Sequence, residues 1–300
     1  MRTPVVFTVF NRPDHTRETF AAIRSYRPAR LFIVADGPRP GNAEDVRRCA
    51  EVRSVVSQVD WPCEVTRDYS EANLGCGLRV SSGLTAAFEA VDRAIVLEDD
   101  CVASPEFFPF CDALLERYAD TPRVWTVNAN SHQPQFRRGD GAYYFSRYPD
   151  TWGWATWRRA WQNYRHDLPF LENWLRSPQW ELSVPDKAGR RFLEHMFRET
   201  ARGAIDSWGF RWMACVMHGE GMCATPNANL VKNIGFGEEA TRTRNAAYGY
   251  ELTALGSLEH PSVIRADDEA DAFFREKFRF RRGILQSLKH QGRMALRKLR

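Results

Sequence analysis

The sequence predicts an α/β fold in which a mostly parallel central sheet is flanked by helices. Over the first 130 residues, short apolar segments rich in β-branched residues alternate with segments that have the periodicity of amphipathic helices. The connections between these segments are short, and no Gly-, Ser- or Pro-rich linker divides the chain. Such alternation is typical of βαβ units, whose strands pair in parallel.

Five strands and four helices are predicted in this first half. The strands are expected over residues 4–10, 30–36, 63–69, 93–99 and 123–129. The first three helices are expected over residues 14–25, 43–58 and 78–91. The fourth is expected to begin at Pro105 with Ser104 as its N-cap, because proline is favoured at the first helical position and serine just before it.

The second half of the chain is dense in tryptophan and has fewer strand patterns. We predict that it consists of helices and loops laid over the sheet. Residues 1–250 are predicted to form one domain with two halves, 1–130 and 131–250, and residues 251–300 to form a C-terminal extension. The extension is strongly basic from Phe278 onward, with apolar residues at roughly helical spacing. This segment is either an amphipathic helix that contacts an anionic membrane face or a solvated helix packed on its own domain.

Composition excludes several classes of protein. A net charge of +4 over 300 residues is too mild to indicate a nucleic-acid-binding protein. The seven cysteines have neither CxxC spacing nor histidines at metal-binding spacing, which argues against a zinc site or a disulfide framework. No apolar stretch is long enough for a signal peptide or a membrane span. The sequence therefore predicts a cytoplasmic protein, with the basic extension as a possible contact to the inner face of the membrane.

Polar residues follow four successive predicted strands. The carboxyl ends of parallel strands meet at one edge of a sheet, and ligands bind at that edge in open α/β sheets. We therefore expect these side chains to share one crevice. In chain order they are Asn11, Arg12, Asp36, Asp68, Asn73, Glu98, Asp99 and Asp100.

The last three of these residues, Glu98, Asp99 and Asp100, form the acidic triplet. Adjacent carboxylates repel one another and raise one another's pKa unless a cation relieves the repulsion. Oxygen ligands without nearby His or Cys favour Mg²⁺ or Mn²⁺, ions that proteins usually hold together with substrate phosphates. The triplet thus predicts a metal site and a diphosphate-bearing substrate, and the alternative is a solvated acidic turn.

Six segments of the sequence resemble a known family. The segments are FNRPDHTRETFAAIRSYRP, VADGPR, NLGCGLRVSSGL, VLEDDCVASPEFFPF, DTWGWATWRRAW and DSWGFRWMACVMHGEGMCATPNANLVKNIGFG. In this order they resemble GT-A glycosyltransferases, in particular the bacterial family-2-like and hemolytic-protein-A-like group, with a distant similarity to N-acetylglucosaminyltransferase I. The resemblance covers roughly residues 4–245. It implies a GT-A fold with a nucleotide-binding half over 1–130 and an acceptor half over 131–250.

The resemblance also implies a substrate and a cofactor. The donor would be a nucleotide-diphosphate sugar, with a UDP-sugar favoured, and the acceptor a hydroxyl of a glycan or a lipid-linked oligosaccharide. The acidic triplet matches the family's DxD element, so Asp100 would bind Mn²⁺ or Mg²⁺ and Glu98 would lie near the ribose or the waters of the metal. The residues that would surround the nucleotide are Phe10, Asn11, Arg12, Asp36, Arg79 and Asp99.

An inverting glycosyltransferase needs a carboxylate that takes the proton of the acceptor hydroxyl. The resemblance gives this role to Asp206, just before a predicted helix that ends near Gly219 and Gly221 and is followed by a predicted short strand over residues 222–226. The alternative interpretation of Asp206 is a simple N-cap. A rival base is Glu172, in a segment that resembles N-acetylglucosaminyltransferase I.

A floor for the donor sugar and the acceptor is predicted from the aromatic segment 152–161. Trp152 or Trp154 would contact the sugar, Gly153 would let the backbone approach it, and Trp161 would lie in the core. The sequence departs from the family pattern after NIGFGEEA. A metal-binding histidine often follows there, but this chain has Arg242, which can grip a diphosphate and cannot bind a metal.

Three other functions remain open at this point. A sugar-nucleotide nucleotidyltransferase would need a Gly-rich loop after the first strand, and this chain has none there. A phosphatase of the HAD type would need a nucleophilic aspartate where Asn11 stands. A non-catalytic sugar-binding protein could keep the fold without the chemistry.

Overall fold

An eight-stranded mixed sheet forms the centre of the computed structural model, which describes residues 2–236 and 251–277. Two further strands, β5 and β10, pair with each other in a separate ribbon. In chain order the strands of the described residues are β1 Val5–Val9, β2 Arg30–Ala35, β3 Glu64–Tyr69, β4 Arg93–Glu98, β5 Cys101–Ala103, β6 Val124–Asn128, β7 Tyr143–Ser146, β8 Trp154–Trp157, β9 Met222–Pro226 and β10 Val231–Asn233. The helices are α1 Pro13–Tyr26, α2 Ala43–Val56, α3 Gly75–Ala90, α4 Phe107–Arg117, α5 Arg158–Trp161, α6 Leu171–Trp174, α7 Pro178–Ser183, α8 Lys187–Ala201 and α9 Trp208–His218.

The sheet is mostly parallel, as the sequence predicts. Its strand order is β3-β2-β1-β4-β8-β6-β9-β7. Strands β1 to β4 pair in parallel, whereas β8 is antiparallel to β4 and β6, and β7 is antiparallel to β9. The predicted α/β class with a mostly parallel, helix-flanked sheet is therefore confirmed.

The order of strands reverses between β1 and β4. The chain places β2 and β3 on one side of β1 and then crosses to place β4 on the other side. In open α/β sheets the loops beyond the carboxyl ends of such a strand pair diverge and leave a crevice. The acidic triplet begins with the last residue of β4, so the fold places it at this switch point.

The prediction of helices and loops over the second half is wrong in part. Strands β7, β8 and β9 come from this half and complete the main sheet, and β8 lies between β4 and β6. Each of these strands is buried along its whole length. The strand predicted over residues 222–226 corresponds to β9, whereas β7 and β8 were not predicted. A strand that is buried on both faces lacks the alternation of polar and apolar residues, and this is why the sequence pattern does not reveal β7 and β8.

Two apolar layers cover the two faces of the sheet. On one face, Val5, Phe7 and Ile33 pack with α1, α2 and α4. On the other face, Val6 and Val96 pack with α3 and a tryptophan-rich group that includes α9. The alternation of neighbouring β1 residues between the two layers is the period-two geometry of a strand. The sheet is thus a rigid support for the loops at its carboxyl edge.

Helix α4 begins later than predicted. It starts at Phe107 with Glu106 at the N-cap position, and no side chain caps it. Ser104 is not the cap: its backbone N–H donates to the carbonyl of Leu230, and its hydroxyl has no hydrogen-bond partner among the described residues. The pairing of β5 with β10 holds this segment in extended form, which delays the helix.

The described part of the C-terminal extension packs along β7. Asp271 is buried and accepts hydrogen bonds from Ser146 and Arg147, and Phe274 stacks on Tyr148. The predicted basic helix from Phe278 onward and the site residue Arg242 lie outside the described residues. Within residues 2–236 and 251–277, no helix is both long enough and apolar enough to cross a bilayer.

Candidate functional site

The acidic triplet begins at the last residue of β4 and contacts the loop that follows β1. Asp99 is 8% exposed, and one of its carboxylate oxygens accepts a hydrogen bond of 3.2 Å from the backbone N–H of Phe10. Burial, followed by the charge of Asp100, raises the pKa of Asp99 to about 7, against the opposing effect of Arg12. Asp99 is therefore a buried part of the crevice wall.

Arg12 supplies a positive charge at the triplet. Its guanidinium donates a hydrogen bond of 2.9 Å to Oδ2 of Asp100 and lies 4.0 Å from Oδ1 of Asp99. All three side chains are nearly buried, with side-chain exposures of 11–16%. Burial lowers the pKa of Arg12, but the carboxylates of Asp99 and Asp100 outweigh burial and raise it. The repulsion within the triplet is thus relieved, at least in part, by the protein itself.

The short β5–β10 ribbon lies against Asp100. The backbone N–H of Ile234 donates to the carbonyl of Asp100 at 2.8 Å, and the side-chain amide of Asn233 lies 3.4 Å from its Oδ1. Gly235 packs so closely on the carboxylate that a Cβ at this position would clash with Oδ2. The segment after β10 therefore covers Asp100 and fixes the orientation of its carboxylate.

The triplet has the right ligand chemistry for Mg²⁺ or Mn²⁺, but its arrangement does not fit a bound ion. Oδ2 of Asp100 is held by Arg12, an oxygen of Asp99 by Phe10, and Oε1 of Glu98 by the indole N–H of Trp208. Among the described residues, no group of three or more His, Cys, Asp or Glu side chains could hold a metal. An ion at Asp100 would have to take the place of a guanidinium.

The loop after β1 is tied to the start of α2. Asn11 donates a hydrogen bond of 2.8 Å to Asp45, which also pairs with Arg39, and the Arg39 guanidinium lies 5.7 Å from the centre of the Phe10 ring. Asp45 is almost fully buried, and the hydrogen bond from Arg39 lowers its pKa to about 2. Phe10 and Asn11 are partly exposed in the crevice.

Asp36 holds the loop that precedes α3. Its two oxygens accept hydrogen bonds from the backbone N–H groups of Gly37, Leu74 and Gly75 and from the side chain of Asn73. Asp36 is 6% exposed, so its contacts are with the protein. If it acts on a nucleotide, it does so by positioning this loop.

Arg79 is the other predicted nucleotide contact next to this loop. Its guanidinium is buried, donates to the carbonyls of Ala35 and Asp68, and forms an ion pair of 2.6 Å with the carboxylate of Asp68. Arg79 is therefore not an exposed charge on the surface of α3. Arg79 links the carboxyl ends of β2 and β3 and thereby holds these two strand ends together at the crevice.

Asp206 docks on the N-terminus of α3. Its Oδ1 accepts a hydrogen bond of 2.7 Å from the backbone N–H of Gly77. A Cβ on Gly75 would lie 2.7 Å from Oδ2, and a Cβ on Gly77 would clash with Oδ1, so the two glycines form a cradle for the carboxylate. Asp206 is not the N-cap of α9, because that position belongs to Ser207, whose hydroxyl accepts from the N–H of Phe210. The carboxylate remains exposed to solvent.

Trp208 connects Asp206 with the acidic triplet. It is the first residue of α9, two positions after Asp206, and its indole N–H donates a hydrogen bond of 3.1 Å to Oε1 of Glu98. The ring is 2% exposed and stacks on Trp154 with 5.4 Å between ring centres. The start of α9 is thereby fixed beside the carboxyl end of β4, and Asp206 and the triplet share one crevice.

The aromatic floor is only partly as predicted. Trp154 is 0% exposed and packs on Trp208, Trp212 and Trp161, so it cannot contact a sugar and belongs to the core. Gly153 has φ +76°, but a Cβ there would meet Val231 and Leu97, so its small size serves packing. Trp152 is partly exposed and lies edge-on to Phe236, with 5.5 Å between ring centres.

The rival base Glu172 lies far from the triplet. It is exposed on α6 and pairs with Arg198, whose hydrogen bond lowers the pKa of Glu172. Helix α6 follows Phe170, which stacks on His218 at the last residue of α9. Asp206 precedes the first residue of α9, and a helix of 11 residues is about 16 Å long. Glu172 and Asp206 are therefore at opposite ends of α9.

Sequence reasoning missed several residues that build this site. Gly77, Trp208, Asn233 and Gly235 all lie inside segments that carry the resemblance, yet no role was expected for them. The glycine two residues after Gly75 and the tryptophan two residues after Asp206 are visible in the sequence and could have indicated a role in the site. Asp45 had no such signal, because its role depends on the packing of α2 beside the first loop.

Comparisons with known proteins give little beyond the fold. No protein-family model matches the chain, and no curated protein matches it. Mouse xyloside xylosyltransferase 1 in its apo form is 12% identical, with 74% of this chain and 84% of that chain covered and a TM-score of 0.37. HddC from Yersinia pseudotuberculosis is 10% identical, with 57% and 86% covered and a TM-score of 0.34. UDP-glucose pyrophosphorylase complexed with UDP-glucose is 8% identical, with 75% and 91% covered and a TM-score of 0.35.

Likenesses at these values carry no argument about activity. The fold and the site define an α/β protein with an acidic crevice at the switch point of its sheet, and everything more specific rests on the residues of that crevice.

Proposed function

We propose that the protein is a glycosyltransferase of the GT-A type that transfers a sugar from a nucleotide-diphosphate sugar, with a UDP-sugar favoured, to a hydroxyl of a glycan or lipid-linked acceptor. The observation that carries the proposal is the placement of Asp206 and the acidic triplet in one crevice, through the bond from Trp208 to Glu98. A transferase of this kind needs a binding site for the leaving diphosphate and a proton acceptor close to it.

The nucleotide would lie over the carboxyl ends of β1, β2 and β4. Phe10 and Asn11 are the partly exposed groups of the first loop, and Asp36 and Arg79 would act by shaping the loops around the base and ribose. Trp152, with its partly exposed ring, is the candidate for contact with the sugar, since an aromatic face packs well on sugar C–H groups. Arg242 remains a candidate for the diphosphate.

The proposed reaction is a single displacement with inversion. The oxygen of the acceptor hydroxyl forms a bond to the anomeric carbon, and its proton passes to the carboxylate of Asp206. The bond between the anomeric carbon and the diphosphate oxygen breaks, and its electron pair leaves with the nucleoside diphosphate. The hydrogen bond from Gly77 holds Oδ1 of Asp206, and no described residue donates to Oδ2, so that oxygen can face the acceptor.

A divalent ion, Mn²⁺ or Mg²⁺, remains the cofactor that the resemblance predicts. No step of the proposed reaction is assigned to it, because Arg12 holds the oxygen of Asp100 that an ion would need.

The test compares two carboxylates that sequence reasoning left as rivals. Asp206→Asn and Glu172→Gln would be assayed for release of nucleoside diphosphate from the sugar nucleotide that binds, and binding would be measured in parallel by thermal shift. We expect Asp206→Asn to keep binding and lose activity by about 10²–10⁴-fold, the usual contribution of a general base. Glu172→Gln should behave as the wild type. Unchanged activity of Asp206→Asn would refute the base assignment, and binding without any turnover in the wild type would indicate a non-catalytic sugar-binding protein.

A further inference from the structure

The charge balance of the acidic triplet differs from that of an open metal site. The carboxylate of Asp100, which the resemblance assigns to a metal, is in contact with a guanidinium that comes from the neighbouring strand end. This contact joins residues 88 positions apart in the chain, and both side chains are nearly buried. An ion pair that is shielded from water is stronger than one on the surface, so it competes more effectively with other cations.

The surroundings of Asp100 leave little room for a second cation beside Arg12. Gly235 packs against Oδ2, and Asn233 and Cys101 lie within 3.5 Å of Oδ1. Magnesium binds carboxylate oxygens at about 2.0–2.1 Å, which is well inside the 2.9 Å contact of the guanidinium on the same carboxylate. Two cations on one carboxylate would repel each other at short range.

We propose that Arg12 is the resident cation of the acidic triplet and that a divalent ion binds at Asp100 only when Arg12 leaves this carboxylate. Arg12 then controls access of the metal to the site. The claim goes beyond the proposed function, because it concerns the protein without any nucleotide.

The experiment is a titration of the metal-free, nucleotide-free full chain with Mn²⁺, followed by calorimetry and by the electron paramagnetic resonance signal of free Mn²⁺. The variants are Arg12→Gln, Asp100→Asn, the combination of these two, and the control Arg47→Gln. Arg47 lines the same cavity of about 140 Å³ as Arg12, but it pairs with Glu44 and Glu51 on the exposed surface of α2. Removing its charge changes the local field without touching the triplet.

Weak binding of Mn²⁺ by the wild type, at millimolar concentration, is the first expected result. Arg12→Gln should bind Mn²⁺ at least tenfold more tightly, the added Asp100→Asn should abolish this gain, and Arg47→Gln should bind as weakly as the wild type. Equal affinity of Arg12→Gln and the wild type would overturn the proposal.

The wild-type titration also stands alone if Arg12→Gln does not fold. Micromolar binding that Asp100→Asn removes would show that Arg12 does not exclude the ion, and this too would overturn the proposal. Since no nucleotide is present, failure of this claim is distinguishable from failure of the proposed glycosyltransferase activity.

Discussion

The two halves of the main sheet divide support and chemistry between them. In the half formed by β1 to β4, the strands β1, β2 and β4 are largely aliphatic and the edge strand β3 is more polar. The polar residues of the crevice lie at the strand ends or after them. In the half that follows residue 130, large aromatic rings are buried behind the crevice, with Trp154, Trp208 and Trp212 packed on one another. The first half presents most of the polar groups of the crevice, whereas the second half supplies Asp206 and the aromatic rings that support the crevice.

Several contacts join these halves, among them the pairing of β4 with β8 and two hydrogen bonds at the start of α9. Trp208 donates to Glu98, and Asp206 accepts from Gly77, so the start of α9 is attached to both β4 and α3. The comparison teaches that the polar loops of the crevice are supported by a dense aromatic core from another part of the chain.

The largest effect is expected for Trp154→Ala. Its ring is wholly buried among three other tryptophans, and removal of a buried aromatic ring costs about 3–5 kcal/mol of unfolding free energy. Chemical denaturation measures this loss. Trp152→Ala is the matched control, because its ring is partly exposed, and it should cost much less while weakening sugar-nucleotide binding. Equal destabilisation by both changes would show that the second half has no separate core and floor.

The next effect is expected for Gly77→Ala. The added methyl group would clash with Oδ1 of Asp206 and displace the carboxylate. A displacement of about 1 Å in an active site can cost 10²-fold in rate, so we expect a loss of this order in turnover with little change in donor affinity. Glu89→Ala, on an exposed position near the other end of α3, is the control. If Gly77→Ala keeps full activity, the cradle does not position Asp206 for catalysis.

A smaller effect is expected for Trp208→Phe, which removes the indole N–H and keeps a ring. The lost hydrogen bond is to a carboxylate, and such bonds contribute about 1.5–3 kcal/mol, compared with about 0.5–1.5 kcal/mol for neutral acceptors. Trp125→Phe makes the same change where the acceptor is the carbonyl of Pro122. Denaturation curves should show the larger loss for Trp208→Phe. The reverse order would argue against a supporting link between α9 and the triplet.

The smallest effect is a dependence of stability on pH through Asp45. Its pKa is lowered to about 2 in the folded state, chiefly by Arg39, so the folded state binds the proton less readily than the unfolded chain does. The stabilisation is therefore present above about pH 4 and is lost as the pH falls towards 2, with a size of about 1–2 kcal/mol.

Unfolding curves between pH 2 and pH 6 check this expectation. Asp45→Asn should flatten the pH dependence. Glu44→Gln, which removes a carboxylate whose pKa is also about 2 but which is exposed beside Arg47 and Arg48, should change it less, because water screens that pair. A larger change for Glu44→Gln would contradict the role of burial.

Much of the fold could be predicted from the sequence where local patterns are strong. The predicted strand over 93–99 corresponds to Arg93–Glu98, and the predicted helix before Gly219 corresponds to Trp208–His218. Strand β8 was missed because it has only four residues, Trp-Ala-Thr-Trp, all of them buried, and so short a segment has no distinctive period. The aromatic composition that concealed β8 is also what fills the core behind it.

The candidate site could be predicted as a set of residues but not as a set of contacts. The acidic triplet is predicted from residue type and its place at the end of a strand, whereas Asp206 is predicted only from the resemblance. The partners of these residues are distant in the chain, with 88 positions between Arg12 and Asp100 and 129 between Gly77 and Asp206. Such pairings depend on how the strands are ordered in the sheet, and a single sequence does not specify that order.

The central claim is that this crevice binds a nucleotide-diphosphate sugar. The most direct measurement is the melting temperature of the full chain with UDP-, GDP-, dTDP- and CMP-sugars, each with and without Mn²⁺. A ligand at 100 times its Kd stabilises the folded state by about 2.7 kcal/mol, which a melting curve detects. The account predicts stabilisation by one class of diphosphate sugar, with UDP favoured, and none by the monophosphate CMP-sugar. No stabilisation by any of them, or stabilisation by the CMP-sugar alone, would contradict it.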